Sequence, residues 1–257
     1  MLTSMMGALL ALSAADCPSD VAASVDLAEI AERSGASEAH ALEVADALTA
    51  LSFDGVQPTN STEMFLWYRQ HAVNPTADCL LLLVAQEQYV RNWLSAVSRP
   101  DSSVQPTDQQ RAMMVLMMSA LDRRNREWLR PVVERQGWFL NSEYGPGAAS
   151  AAFLIVQHAD HDLDFQREML TLLEPIAAAG EMRASSYAML TDRVAVNSGE
   201  PQLYGSQGRC VGPGKWEARA YTGTFEEMDA RREGVGLEHH AAYVSRISER
   251  CTQDQRY

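Results

Sequence analysis

A chain of 257 residues with 46% apolar side chains can bury a sizeable core, as one large domain or two small ones, and this composition excludes general disorder. Its formal charge of −13 repels phosphate backbones and anionic lipid surfaces, which excludes nucleic acid as an expected partner. Beyond the first residues, no run approaches the ~18 apolar residues of a membrane span.

The first fifteen residues are apolar and small and end in Ser13-Ala14-Ala15, which reads as a secretory signal peptide. The positive leading region of such a segment is missing, because the first basic residue is Arg33. Asp16 stands where a lipoprotein signal needs a small residue, so Cys17 is not read as a lipidation site. Export implies a secreted or periplasmic protein; the alternative is a cytoplasmic one. The four cysteines, Cys17, Cys79, Cys210 and Cys251, allow three disulfide connectivities. Nearness in sequence favours Cys17 with Cys79 and Cys210 with Cys251, whereas in the cytosol all four are reduced and merely packed. Their spacings fit no zinc pattern.

Residues 16–75 read as an N-terminal helical region. Apolar residues at helical spacing predict one helix over 21–33, stopped by Ser34-Gly35, and a second over 38–51 capped by Ser37. Asp54-Gly55 and Gln57-Pro58 mark a loop, and a short helix over 64–71 ends before Asn74-Pro75. The larger region, 76–250, opens with a long helix over 76–97 bearing Glu87, Gln88 and Arg91. Glu four before Arg is the ordinary pattern of a surface pair, and the alternative is that both face a pocket. A polar linker from Arg99-Pro100 leads to a helix capped by Thr107, on which Asp122 and Asn125 share an edge. Pro131 breaks or kinks it, and Gly137 ends it. An Ala- and Gly-rich helix over 148–158 follows, then a Leu/Met stripe from Phe165 to Ile176, then a helix over 185–196. Residues 202–210 and 216–221 predict two strands joined by a turn at Gly212-Pro213-Gly214. Helices over 225–232 and 237–250 close the chain before a polar tail, 251–257. The fold class is mainly α: a multi-helix bundle with one short β-hairpin near residues 202–221.

Several fragments in fixed order carry a resemblance. They are Glu87-Gln88-Tyr89-Val90-Arg91, Asp122-Arg123-Arg124-Asn125, Gly137-Trp138, Gln157-His158-Ala159-Asp160 and Phe165-Gln166. Leu190-Thr191-Asp192-Arg193, Gln202-Leu203-Tyr204-Gly205-Ser206-Gln207 and Asp229-Ala230-Arg231-Arg232 with Gly236-Leu237 complete the set. Together these resemble DUF6624, a bacterial family of unknown function, over about residues 81–243. The chain departs from the family's pattern in carrying Glu87 for Asp, Phe139 for Pro and Ser206 for Thr. The resemblance supplies no activity, so the chemistry rests on the residues.

Among those residues His158 is the best acid–base candidate, since imidazole exchanges protons near neutral pH. Asp160 can orient it if the helix ends there, and Tyr204 offers a phenol beside Gly205. The bland alternative is a buried histidine bonded to a carbonyl. Arg91, Arg193 and Arg232, with Asn125, Gln166, Gln202 and Gln207, are candidates to hold a substrate anion. Glu87, Gln88, Asp122, Gln157, Asp192 and Asp229 are supporting groups, or simply neutralise the arginines. His158, Asp160, His161, Asp162 and Asp164 have the density of a metal cluster, but they also read as a solvated helix start. The expectation is therefore no metal and no cofactor. No nucleophile elbow, phosphate loop or dinucleotide fingerprint is present. Two function classes stay open. One is a metal-independent enzyme, conceivably a hydrolase, acting through His158 on a small anionic or peptide-carboxylate substrate. The other is a non-catalytic helical ligand-binding or interaction module with a structural polar core. The oligomeric state is not legible.

Overall fold

The computed structural model describes residues 17–52, 60–98, 102 and 105–251. The expected signal peptide, the loop at Asp54-Gly55 and Gln57-Pro58, the linker start at Arg99-Pro100 and the tail after Cys251 lie outside the described residues. Among those described, eleven helices and one two-stranded hairpin account for the regular structure, so the fold is mainly α with a short hairpin. No helix of the described residues is long and apolar enough to cross a membrane.

In the N-terminal region α1 (Val21–Ser24) and α2 (Leu27–Ser34) stand where the sequence predicts one helix. Val25 is extended, and the Asp26 carboxylate accepts from the Glu29 N–H at 2.9 Å, starting a new helix with its own cap. Helix α3 (Glu38–Ala50) begins at the expected Ser37 cap, and α4 (Asn60–Arg69) follows.

Two long helices form the axis. Helix α5 (Pro75–Val97) is capped by Asn74, with Pro75 at its first position, where a missing N–H costs nothing. Helix α6 (Asp108–Gln136) starts with a reciprocal Thr107–Gln110 capping box. Pro131 does not break α6. The carbonyl it leaves unbonded belongs to Glu127, which is exposed and can bond water instead.

Each of these helices serves two apolar clusters. In the first, Leu80, Leu83 and Val84 of α5 meet Trp128, Leu129 and Val132 of α6, together with apolar residues of the later helices. In the second, Tyr89, Val90 and Trp93 meet Met113, Met117 and Leu121, together with α1–α3. Between them both helices turn polar at the same level, with Gln86 and Glu87 on α5 and Asp122, Arg124 and Asn125 on α6, all buried.

Helix α7 (Asn141–His158) is longer than expected. Its first turn is set off by Gly145, whose φ of 76° is open to glycine at little cost. Beyond the kink, Gly147 lets the backbone press on Tyr68, where an added Cβ would lie 2.3 Å from the ring. Ala148, Ala151 and Ala152 extend this close-packed face. Helices α8 (Leu163–Ala178) and α9 (Ala184–Asn197) pack on each other and on α7.

The hairpin is shorter than predicted: β1 (Gly208–Gly212) pairs antiparallel with β2 (Lys215–Ala218), with a bulge after Cys210. Residues 203–207 are not strand: Gln202 forms a single bridge to Tyr221, after which the N–H groups of Leu203, Tyr204, Ser206 and Gln207 bond side chains instead. Helices α10 (Phe225–Gly234) and α11 (His240–Ser248) close the chain. Cys17 pairs with Cys79 and Cys210 with Cys251, closing loops of 62 and 41 residues.

Candidate functional site

The sequence-predicted residues fall into three groups rather than one pocket. The first sits in the polar seam of α5 and α6. Glu87 and Arg91 are one turn apart on α5, and Arg91 Nε donates to Glu87 Oε1 at 2.8 Å. Arg91 Nη2 also reaches both oxygens of Asp122 on α6 at 2.7 Å. Gln88 donates to Glu87 Oε1 at 3.2 Å. The C-terminus of α7 then delivers His158, whose Nδ1 lies 2.5 Å from the same Glu87 oxygen. That contact runs off the hydrogen-bonding direction. Nδ1 and the second Glu87 oxygen, Oε2, are both buried without an aligned partner. The Glu87 side chain is 1% exposed and that of His158 14%, so this is a buried pair and not the surface pair that i,i+4 spacing alone suggests.

Electrostatics follow from this packing. Burial works to raise the Glu87 carboxyl, but His158 and Arg91 outweigh it and hold the group below the ordinary carboxylate value. Asp122 goes the other way: burial and the Glu87 charge push it up to about 6 despite Arg91. Burial opposes the charge on Arg91, yet Glu87 and Asp122 together raise it.

Asn125 lies beside this group but faces away from it. Its Oδ1 accepts from Arg124 Nε and Nη2 at 3.1 and 2.9 Å, and its amide donates to Leu83 O.

Asp160 heads the second group and does not orient His158. Helix α7 ends at His158, and the following turn carries the Asp160 carboxylate to α8 and α9. There it accepts from Arg193 Nη1 at 2.6 Å, Gln166 Nε2 at 3.2 Å and Asn197 at 3.4 Å. Gln166 also donates to the carbonyls of Val156 and Gln157, tying down the end of α7. Asp162 caps α8 and pairs with Arg126. The metal cluster expected as one alternative around Asp160, His161, Asp162 and Asp164 is thus divided among other roles. Among the described residues, the group whose ligand atoms do converge is Glu87, Asp122 and His158, all within 4.8 Å of one another.

The third group encloses residues 202–207. Asp192 Oδ1 accepts from the N–H groups of Leu203 and Tyr204, and Oδ2 from that of Ser206, at 2.8–2.9 Å. Gln202 bonds both the N–H and the carbonyl of Gln207, each at 2.8 Å. Arg232 donates to Tyr204 O at 2.6 Å and stacks over Tyr243. Asp229 accepts from the His240 N–H at 2.7 Å, joining α10 to α11. Gly205 (φ 66°) leaves no room for a Cβ between Met228 and His240. Burial and the Asp192 charge push the Tyr204 phenol up. Among the described residues no hydrogen bond or ion pair joins Tyr204, Gln207 or Arg193 to His158, and the backbone of 202–207 is held by Asp192, Arg232 and Gln202.

Sequence reasoning missed Arg231, which bonds Leu203 O, and Tyr243, which bonds Ser206 O. It also missed Gln86 and Arg124, which bond each other at 3.1 Å. Arg124 stands inside the Asp122–Asn125 fragment and was visible there, but nothing in its spacing marks burial.

Residues 86–252 match the sequence profile of a family described as "Family of unknown function (DUF6624)". No curated protein and no solved structure matches the chain.

Proposed function

This chain belongs to DUF6624, a family of unknown function, and on that footing we propose that its functional centre is the His158–Glu87 pair, acting as an acid–base couple. The observation that carries the reading is the 2.5 Å approach of a buried carboxylate to one nitrogen of a histidine that keeps partial exposure. A carboxylate against Nδ1 fixes the ring and stabilises the imidazolium formed when Nε2 takes a proton. Arg91, itself bonded to Asp122, holds that carboxylate in place. This arrangement suits hydrolysis or another proton-transfer reaction on a small anionic or peptide-carboxylate substrate. The two disulfides support a secreted or periplasmic setting.

The test is turnover of a panel of carboxylate-bearing peptides and esters by wild type and His158→Gln. Turnover should fall by about 10²–10⁴-fold with the fold intact by circular dichroism. A folded variant that keeps wild-type turnover, or one that unfolds, contradicts the reading.

A second reading has its own observation: ligand atoms of Glu87, Asp122 and His158 lie within 4.8 Å of one another, and Glu87 Oε2 and His158 Nδ1 have no aligned partner. One nitrogen and two carboxylates are an ordinary donor set for zinc or a similar divalent ion. Arg91 already spans both carboxylates, so a cation there must displace a resident positive charge, which favours the metal-free couple. Elemental analysis of protein purified without chelators separates the two.

A further inference from the structure

A second polar feature lies away from His158. A cavity of about 440 Å³ opens between α2 and the middle of α6. Its apolar lining comes from Val25, Ile30, Leu116 and Ala120. Arg124 also lines it and is 5% exposed. This guanidinium bonds only neutral acceptors: Asn125, Gln86 and, at 3.5 Å through Nη1, Ser24 Oγ. Among the described residues no carboxylate forms an ion pair with it, and those around the cavity are otherwise engaged. Glu29 pairs with Arg33, Asp26 caps α2 and Glu127 pairs with Arg126. Burial lowers the Arg124 guanidinium to about 9, with Glu87 the nearest opposing influence, so it is still charged at neutral pH. A buried cation whose hydrogen bonds all go to neutral acceptors, beside a cavity with apolar walls, is an incomplete ion pair.

We propose that this cavity binds an organic monocarboxylate, its charge held by Arg124 and Ser24 and its aliphatic body by the apolar walls. The rim carries Arg33 and Arg123 beside Asp26, Glu29 and Glu127, so it is the apolar walls, not the rim charge, that separate this ligand class from phosphate. The site shares no lining residue with the His158 couple, and Glu87 acts on Arg124 only through space. It also gives the N-terminal helices a ligand-binding role, since α1 and α2 supply one wall.

Titration calorimetry of the full, disulfide-intact chain with hexanoate, hexanol and inorganic phosphate at constant ionic strength tests the proposal. Hexanoate should bind saturably at one site, with hexanol and phosphate weaker by about tenfold or more. Arg124→Gln should weaken hexanoate by a similar factor. Ala120→Trp fills the cavity while leaving the cation in place, and it should do the same, so the proposal is still decided if Arg124→Gln does not fold. His158→Gln should leave hexanoate binding unchanged. Absence of saturable hexanoate binding, equal binding of hexanol, tighter binding of phosphate, or binding retained in Ala120→Trp would each overturn the proposal.

Discussion

Glu87 Oε1 is approached by three side chains, Arg91, Gln88 and His158, while Oε2 meets none. Replacing Glu87 by Ala leaves His158 and part of Arg91 without their counter-charge. Breaking a buried pair in this way costs about 3–5 kcal/mol. The lower end is expected, because Arg91 keeps Asp122 and some solvent. Urea unfolding measures it, and a loss below about 1 kcal/mol would mean that the pair is not holding the seam. Asp122 gives a pH signature. Its folded value is raised to about 6, above its ordinary 3.8, so its contribution to stability is fully present below 3.8 and is lost as pH rises through 6. Wild type should therefore gain on Asp122→Asn as pH falls from 7 to 4, by an amount on the order of 2–3 kcal/mol. Glu87 is lowered, so its own contribution is lost only as pH falls below its ordinary 4.5, at the foot of that window and in both proteins. Parallel pH profiles for the two proteins would contradict the assignment.

At the scale of elements, the polar seam explains what the sequence could and could not reveal. The periodicity of α5 and α6 was legible because apolar residues recur along both helices. What periodicity cannot show is that the two helices break their apolar runs at the same level, with Glu87 opposite Asp122. That depends on how far one helix slides along the other, which is set by side chains on the helices packed around them. The pairing of Asp160 with Arg193 was equally hidden, because the turn after His158 decides where the carboxylate points. Residues 202–207 misread as a strand for a related reason: Leu203 and Tyr204 suit an extended chain, but a buried Asp192 takes the N–H groups a strand would give its neighbour. Asp192→Ala should leave three backbone donors unsatisfied, at a cost of roughly 3 kcal/mol or more. Amide exchange at Leu203, Tyr204 and Ser206 should accelerate well before global unfolding. Unchanged protection there would show that the backbone is held by something else.

On the scale of the whole molecule, the two disulfides bind the chain ends to the body: Cys17 to the start of α5, and Cys251 to β1. The loops they close predict about 4 kcal/mol each from restriction of the unfolded chain. Reduction under native buffer should lower the melting temperature markedly, and Cys210→Ser with Cys251→Ser should reproduce part of that fall. An unchanged melting temperature would place the stability entirely in the two helical clusters. The molecule then reads as two apolar clusters on one pair of long helices, with the His158 couple at the seam between them. That placement allows a buried carboxylate to act on a partly exposed ring. The most direct test is long-range proton–nitrogen NMR of the His158 ring in its neutral form. The account predicts the proton on Nδ1, facing Glu87, and a bare Nε2; a bare Nδ1 with the proton on Nε2 would contradict it.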